Sequence, residues 1–108
     1  MSARVKNYLP MLKCIRRLGE KARRDYVRKC DNEFIRCVSE CAKNLIKGNV
    51  PLTTRQMKNL RRRRYDLRAL SAKKTSLRKK RKILQKGGFL TALISSILSV
   101  LGSLLMQN

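Results

Sequence analysis

The stretch DNEFIRCVSECAKNLIKG, residues 31–48, decides the fold of this chain. Apolar side chains recur in it at intervals of three and four residues, which is typical of a helix with one buried face. Asp31 is suited to cap the first turn and Gly48 to end the helix, because each residue type is favoured at that end. The pattern predicts a core helix whose buried face carries Phe34, Val38, Cys41 and Leu45, flanked by Ile35, Ala42 and Ile46.

The sequence on both sides of this helix is also helical in character. Long stretches lack Gly and Pro and are rich in Lys, Arg and Leu, which favours helices. Thr53 and Gln56 have the spacing of a capping box. No alternating run is long enough for a strand. We therefore predict an all-α protein, a small loose bundle of four to five helices plus a separate C-terminal helix, with further bundle helices at about residues 5–18, 20–30, 54–70 and 76–86.

Charge divides the chain into three segments. Residues 1–50 carry 13 basic and 5 acidic side chains, residues 51–88 carry 15 basic and 1 acidic, and residues 89–108 carry none. Gly and Pro fall near the boundaries, as expected of connections. The predicted organisation is a core-like helical segment at 1–50, a highly basic segment that binds nucleic acid at 51–88, and an uncharged tail at 89–108.

The uncharged tail has the pattern of an amphipathic helix. Its hydroxyl side chains lie opposite an aliphatic face, and 18 helical residues would span about 27 Å, the lower limit for crossing a bilayer. Gly87 and Gly88 predict a hinge before it. Three roles stay open for this face: completing the soluble core, membrane association, or homo-oligomerisation. Its residues are Phe89, Leu90, Leu93, Ile94, Ile97, Leu98, Leu101, Leu104 and Leu105.

The composition argues against an enzyme. The chain of 108 residues has 28 Lys or Arg, 6 Asp or Glu and no His, for a net charge of +22. The usual general base and the commonest metal ligand are therefore missing. The four cysteines lack the paired C-x2-C spacing of a zinc site, which favours reduced, buried thiols. We expect neither a catalytic residue, nor a metal, nor another cofactor.

Two uninterrupted basic runs, at residues 61–64 and 78–82, are the strongest functional feature. Consecutive helical positions point in different directions around the axis, which suits phosphate neutralisation and not base reading from one groove. We therefore predict non-specific binding of double-stranded DNA, with a log–log salt slope of about −9 if ~10 charges engage. The predicted binding residues are Arg55, Lys58, Arg61, Arg62, Arg63, Arg64, Arg68, Lys73, Lys74, Arg78, Lys79, Lys80, Arg81, Lys82 and Lys86.

Two other functions remain as alternatives. In the first, the tail helix perturbs or anchors to a membrane while the basic helices contact anionic lipids. In the second, the protein binds structured RNA in the nucleus, although its aromatic residues are too sparse for an RNA-stacking platform.

Part of the chain, from about Lys29 to Leu105, resembles a small basic protein of Maverick/Polinton elements and adintoviruses. The resemblance rests on K-G-N-x-P-L-T at 47–53, S-x-K-K-x-S-L-x-K-K at 71–80 and K-G-G-F-L at 86–90. The later half is also similar to the adenoviral minor core protein precursor X. The resemblance implies a virion protein that condenses DNA during packaging, present in the virion and in the host nucleus.

The same resemblance implies a viral cysteine protease as a partner. Adenoviral core precursors are cut after a hydrophobic-x-Gly-Gly motif, which here would place the cut between Gly88 and Phe89. Gln85 stands where that motif has Leu, Ile or Met. Cleavage would separate the basic body from a tail directed at a membrane or at the capsid interior.

Overall fold

Seven helices account for most of the residues that the structure describes. The computed structural model describes residues 3–48, 52–86 and 88–106, with side chains as far as residue 98. These ranges contain no strand, so the predicted all-α class is confirmed. The helices are α1 (Ala3–Arg17), α2 (Glu20–Lys29), α3 (Asn32–Ile46), α4 (Thr54–Arg62), α5 (Arg64–Ser71), α6 (Leu77–Leu84) and α7 (Phe89–Met106).

The helix α3 lies at the centre of the molecule and packs against α1, α5, α6 and α7. Its N-terminus is capped as predicted, since the Asp31 carboxylate accepts a hydrogen bond from the backbone N–H of Phe34 at 2.8 Å. Tyr8 of α1 and Tyr26 of α2 meet the Phe34 ring edge-to-face, with centroids 5.9 and 5.1 Å away. The buried face carries every residue predicted for it except Ile46, which is exposed.

The helix α1 continues through Pro10, although a proline inside a helix removes one hydrogen bond. The sequence left open whether this helix starts before the proline or at it. Val5, Leu9, Leu12 and Ile15 form one buried stripe that extends to both sides of Pro10. Burial of this stripe against the core offsets the lost hydrogen bond, because each large aliphatic side chain contributes about 1.5 kcal/mol or more.

The single helix predicted at about 54–70 is divided at Arg63, whose backbone leaves the helical region at φ −111° and ψ 22°. The capping box at its start is present, with hydrogen bonds between Thr53 and Gln56 in both directions. Leu60 before the break belongs to a helix that packs on α7, whereas Leu67 and Leu70 after it belong to one that packs on α3. The two halves must therefore run in different directions to reach their partners, and neither Gly nor Pro marks the break in the sequence.

The tail helix is not separate from the bundle, which corrects the prediction. It packs against α1, α3, α4 and α6. Residues from all three predicted segments contribute to one core. The physical reason is burial: six large apolar side chains would otherwise face water on α7, and their partners on four other helices would be uncovered. The six are Phe89, Leu90, Leu93, Ile94, Ile97 and Leu98.

Candidate nucleic-acid interface

Twelve of the fifteen predicted binding residues are exposed. They are distributed over α4, α5, α6 and the segments that follow α5 and α6, so they do not form a single stripe. This placement spreads the exposed cations over three helices and two connecting segments. The exposed residues are Arg55, Lys58, Arg61, Arg62, Arg64, Arg68, Lys73, Lys74, Arg78, Lys79, Lys82 and Lys86.

The first basic run, residues 61–64, lies at the junction of α4 and α5. Arg61, Arg62 and Arg64 are exposed, and the Arg64 guanidinium stacks 4.9 Å from the centroid of the Tyr65 ring. Arg63 is half-buried beside Gly88, where an added Cβ would lie 3.0 Å from Arg63 Nη2. Gly88 also has a φ of +76°, so both its backbone and this close approach favour glycine.

The second basic run, residues 78–82, is only partly available to a ligand. Arg81 is half-buried, and its Nη1 donates to the carbonyl oxygens of Val27 and Cys30, each at 2.7 Å. Its Nη2 donates to Asn32 Oδ1 at 3.0 Å. The two carbonyls lie at the C-terminal end of α2, where a cation is favoured by the helix dipole. Arg81 therefore joins α6 to α2 and α3, and the prediction of a phosphate-contacting Arg81 has to be corrected.

Lys80 is buried, with 6% of its surface exposed. Its Nζ donates to Ser39 Oγ at 2.8 Å, and Ser39 Oγ donates in turn to the Leu70 carbonyl at 2.7 Å. Burial lowers the pKa of the Lys80 ammonium. The reason for burial is helical spacing, because Lys80 shares the inward face of α6 with Leu77, Ile83 and Leu84. Lys80 is thus removed from the set of exposed cations.

Lys86 is exposed but already paired, with Nζ 2.8 Å from Asp66 Oδ1. This ion pair joins the segment after α6 to α5. Partly exposed pairs of this kind are weak, so a phosphate can compete for the ammonium.

The first fifty residues contribute cations that the sequence analysis did not include. Twelve of the thirteen basic residues there are exposed. This segment was predicted to be core-like because of its apolar pattern, and its 13 basic and 5 acidic residues give it a lower net charge than residues 51–88. The helical pattern could have identified the missing cations, since they occupy the positions on α1, α2 and α3, and at the end of α3, that the apolar stripes leave to solvent.

The surface as a whole is strongly positive. Of the 28 basic side chains, 24 are exposed, and four of those pair with a carboxylate, namely Arg4, Arg28, Arg36 and Lys86. The other twenty have no carboxylate partner among the described residues. A net charge of +22 over 6964 Å² of accessible surface gives one positive charge per about 320 Å². Such a surface attracts polyanions over a Debye length of about 10 Å at 0.1 M salt.

Aromatic side chains offer little for base recognition. Within the described residues, Tyr65 is the one exposed aromatic ring, at 72%. The other four rings are buried or half-buried: Tyr8 and Tyr26 pack on Phe34, and Phe89, the first residue of α7, is fully buried in the core. Tyr65 is therefore a single stacking candidate that the sequence analysis set aside.

The predicted membrane face divides into two parts. The six residues as far as Leu98 are buried in the core, so a membrane role for them requires α7 to leave the bundle. Leu101, Leu104 and Leu105 lie outside the residues whose side chains are described. Within the described residues, no helix combines the length and hydropathy needed to cross a bilayer.

The predicted cleavage point lies at the start of α7. Gly87 falls outside the described residues. The Gly88 carbonyl accepts the first helical hydrogen bond, from Ala92 at 3.1 Å, and Phe89 is fully buried. Cleavage between Gly88 and Phe89 would therefore require the first turn of α7 to open.

The four cysteines are free thiols. Cys37 and Cys41 are buried as expected, whereas Cys14 is exposed because it lies outside the buried stripe of Leu12 and Ile15. The hydrogen bond between the Cys37 and Cys41 thiols raises the pKa of Cys41 and lowers that of Cys37. Among the described residues, no group of three potential ligands could hold a metal ion.

Comparison with known proteins gives no family for this chain: no family model matches it, and neither a curated protein nor a solved structure does. The resemblance to element-encoded and viral core proteins therefore stays a prediction.

Proposed function

We propose that this protein is a non-enzymatic DNA-binding protein that neutralises and condenses double-stranded DNA. The single observation that carries the proposal is the set of twenty exposed cations that have no carboxylate partner among the described residues of so small a molecule. An ordinary solvated surface carries both signs of charge in similar amounts. An excess this large repels itself, and a polyanion relieves that repulsion.

The dimensions of the molecule support condensation as well as binding. Its longest extent is 35 Å. Duplex DNA carries one negative charge per about 1.7 Å of axis, so a 35 Å length carries about 20 phosphates. One molecule of charge +22 therefore roughly neutralises the DNA along which it lies. A nearly neutral complex loses the repulsion that keeps neighbouring duplexes apart.

The arrangement of the cations favours binding without sequence preference. They lie on all of the helices from α1 to α6, at the end of α3 and in the segment between α5 and α6, and no one helix concentrates them as a recognition helix would. Phosphate contacts fix position but carry no sequence information. We therefore expect similar affinity for duplexes of unrelated sequence.

A mobility-shift series in increasing salt tests binding. We expect a log–log slope near −9 for ~10 phosphate contacts, and equal slopes for two duplexes of unrelated sequence. A flat salt response would contradict the proposal. A clear preference for structured RNA over duplex DNA at equal salt would favour the RNA-binding alternative instead.

Light scattering during titration of long DNA tests condensation. We expect scattering to rise sharply when the added protein charge approaches the total phosphate charge, and to reverse on addition of salt. Binding without any rise in scattering would limit the function to DNA coating.

The assignment to a virion or mobile element rests on the resemblance alone. It places the protein with packaged DNA, in the virion and the host nucleus. A capsid gene and a packaging-ATPase gene beside this reading frame would support it, and an ordinary cellular neighbourhood would count against it.

A further inference from the structure

A groove of about 410 Å³ opens beside α3, between residues of α1 and residues of α5, α6 and the segment that joins them. Its volume lies in the range of small-molecule sites. Glu40 is the one carboxylate among the residues that line it. Its six cations are Arg4, Arg36, Lys43, Lys47, Lys73 and Lys80.

The most deeply buried lining residues are Lys80 and Ser39, which are 6% and 9% exposed. An ammonium group has three N–H donors, and Lys80 uses one of them, on Ser39 Oγ. No carboxylate lies within 4 Å of Lys80 Nζ among the described residues. A buried charge without a counter-ion costs free energy, and an anion in the groove would offset that cost.

The remaining cations of the groove differ in whether they already form an ion pair. Arg4 and Arg36 already contact Glu33, at 3.2 and 2.6 Å. Lys43, Lys47 and Lys73 are exposed and have no ion pair among the described residues. Three lysines at the rim and one below it are therefore available to a ligand.

Glu40 does not cancel this excess. Its Oε2 atom is buried without a hydrogen bond, and Arg4 Nη1 lies 3.9 Å away. One carboxylate faces six cations in the groove, so the local charge is strongly positive.

We propose that this groove is a discrete binding site for an oligophosphate, a ligand with two or more linked phosphoryl groups. Lys43 lies on α3, and Lys47 is the C-cap residue of this helix, about 6 Å further along the axis. One phosphoryl group carries at most about two negative charges, whereas four lysines are available in the groove, so a chain of linked phosphoryl groups matches their charge better. Lysine ammonium groups bind phosphate as compact point charges. The site does not depend on DNA binding.

Isothermal titration of the full chain with inorganic tripolyphosphate at physiological salt tests the site. The groove variant is Lys43→Ala with Lys73→Ala. The control variant, Lys58→Ala with Lys79→Ala, loses the same charge from exposed positions outside the groove. We expect one-to-one binding, a loss of tenfold or more in affinity for the groove variant, and less than twofold for the control.

Equal losses in the two variants would mean that overall charge holds the anion, and would overturn the proposal. Absence of saturable one-to-one binding would overturn it as well, and would leave DNA binding untouched. Lys80→Met should also lose tripolyphosphate affinity. If that variant fails to fold, the rim variant decides alone.

Duplex DNA as the second ligand distinguishes the source of the phosphates. If the groove holds backbone phosphates, the groove variant loses more DNA affinity than the control variant. If its ligand is a free oligophosphate, the two variants lose DNA affinity equally while only the groove variant loses tripolyphosphate.

Discussion

The two basic runs are alike in sequence and different in the folded protein. Residues 61–64 lie at the junction of two helices, where three of four side chains are exposed. Residues 78–82 lie inside α6, where Lys80 is buried and Arg81 is half-buried. The difference arises from the neighbours: Leu77 and Ile83 fix which face of α6 turns inward, and Lys80 lies on that face. A run of charges is therefore not a uniform surface.

The largest effect is expected for the first run and concerns its contribution to DNA binding. Replacing Arg61, Arg62 and Arg64 with Ala should make the salt slope less steep by about 3 and lower affinity at 0.1 M salt by about 10²-fold, because each lost phosphate contact removes ~0.9 from the slope. The measurement is a mobility-shift series. A control variant, in which Lys6, Lys13 and Arg17 of α1 become Ala, removes equal charge. Equal effects would show that the run has no special share in binding.

The next largest effect is expected for the second run and concerns the stability of the folded protein. Arg81→Ala should lower the free energy of unfolding by about 3 kcal/mol, because two carbonyls at the end of α2 lose their charged donor. The control is Lys82→Ala, an exposed neighbour that should change stability by less than about 0.5 kcal/mol. Denaturant unfolding measures both. Similar values for the two variants would remove the structural distinction within this run.

Replacing Lys80 should have a smaller effect on the free energy of unfolding, and the sign of this effect should depend on pH. Lys80→Met should change the free energy of unfolding by less than about 1 kcal/mol at neutral pH, because an apolar side chain of similar size replaces a buried charge and Ser39 keeps its bond to Leu70.

The pH dependence follows from the lowered pKa. Below the folded-state pKa, the cost of burying the protonated amine is fully present. As the pH rises from there to the ordinary lysine value of 10.5, the folded amine loses its proton first. The wild-type chain should therefore gain stability relative to Lys80→Met across this window. Unfolding in phosphate-free buffer at several pH values checks it, and parallel curves for the two proteins would contradict it.

The smallest expected effect concerns Lys86, an ion-paired cation that lies outside both runs. Lys86→Ala should cost about 0.5 kcal/mol, since its pair with Asp66 is partly exposed, and the loss should fade at high salt. A double-mutant cycle with Asp66→Asn measures the coupling. A coupling unaffected by salt would mean that this pair is structural, as Arg81 is.

Much of the fold was predictable because it depends on local patterns. Asp31 caps α3, Thr53 and Gln56 form the capping box, and the stripe on α3 is buried, since each of these follows from residues three or four positions apart. The division at Arg63 was not predictable, because it arises from two halves that pack on different helices and no local residue marks it.

The candidate interface was predictable in part. Exposure of twelve predicted cations follows from their number, since few of them could be buried. Burial of Lys80 could have been predicted from its spacing to Leu77 and Ile83. The role of Arg81 could not, because its acceptors lie about fifty residues away in the sequence.

The sequence by itself determined that this chain is helical and carries +22, because helix periodicity and charge are local or additive properties. Only the tertiary structure decided which cations face solvent and where the tail lies. Phe89 and Leu93 are buried because α1, α3, α4 and α6 meet there, and a meeting of distant helices leaves no mark in any one stretch of sequence. A second meeting of distant elements, α1, α3, α5 and α6 with the segment between α5 and α6, assembled the lysine-lined groove beside α3, whose members come from residues 4 to 80.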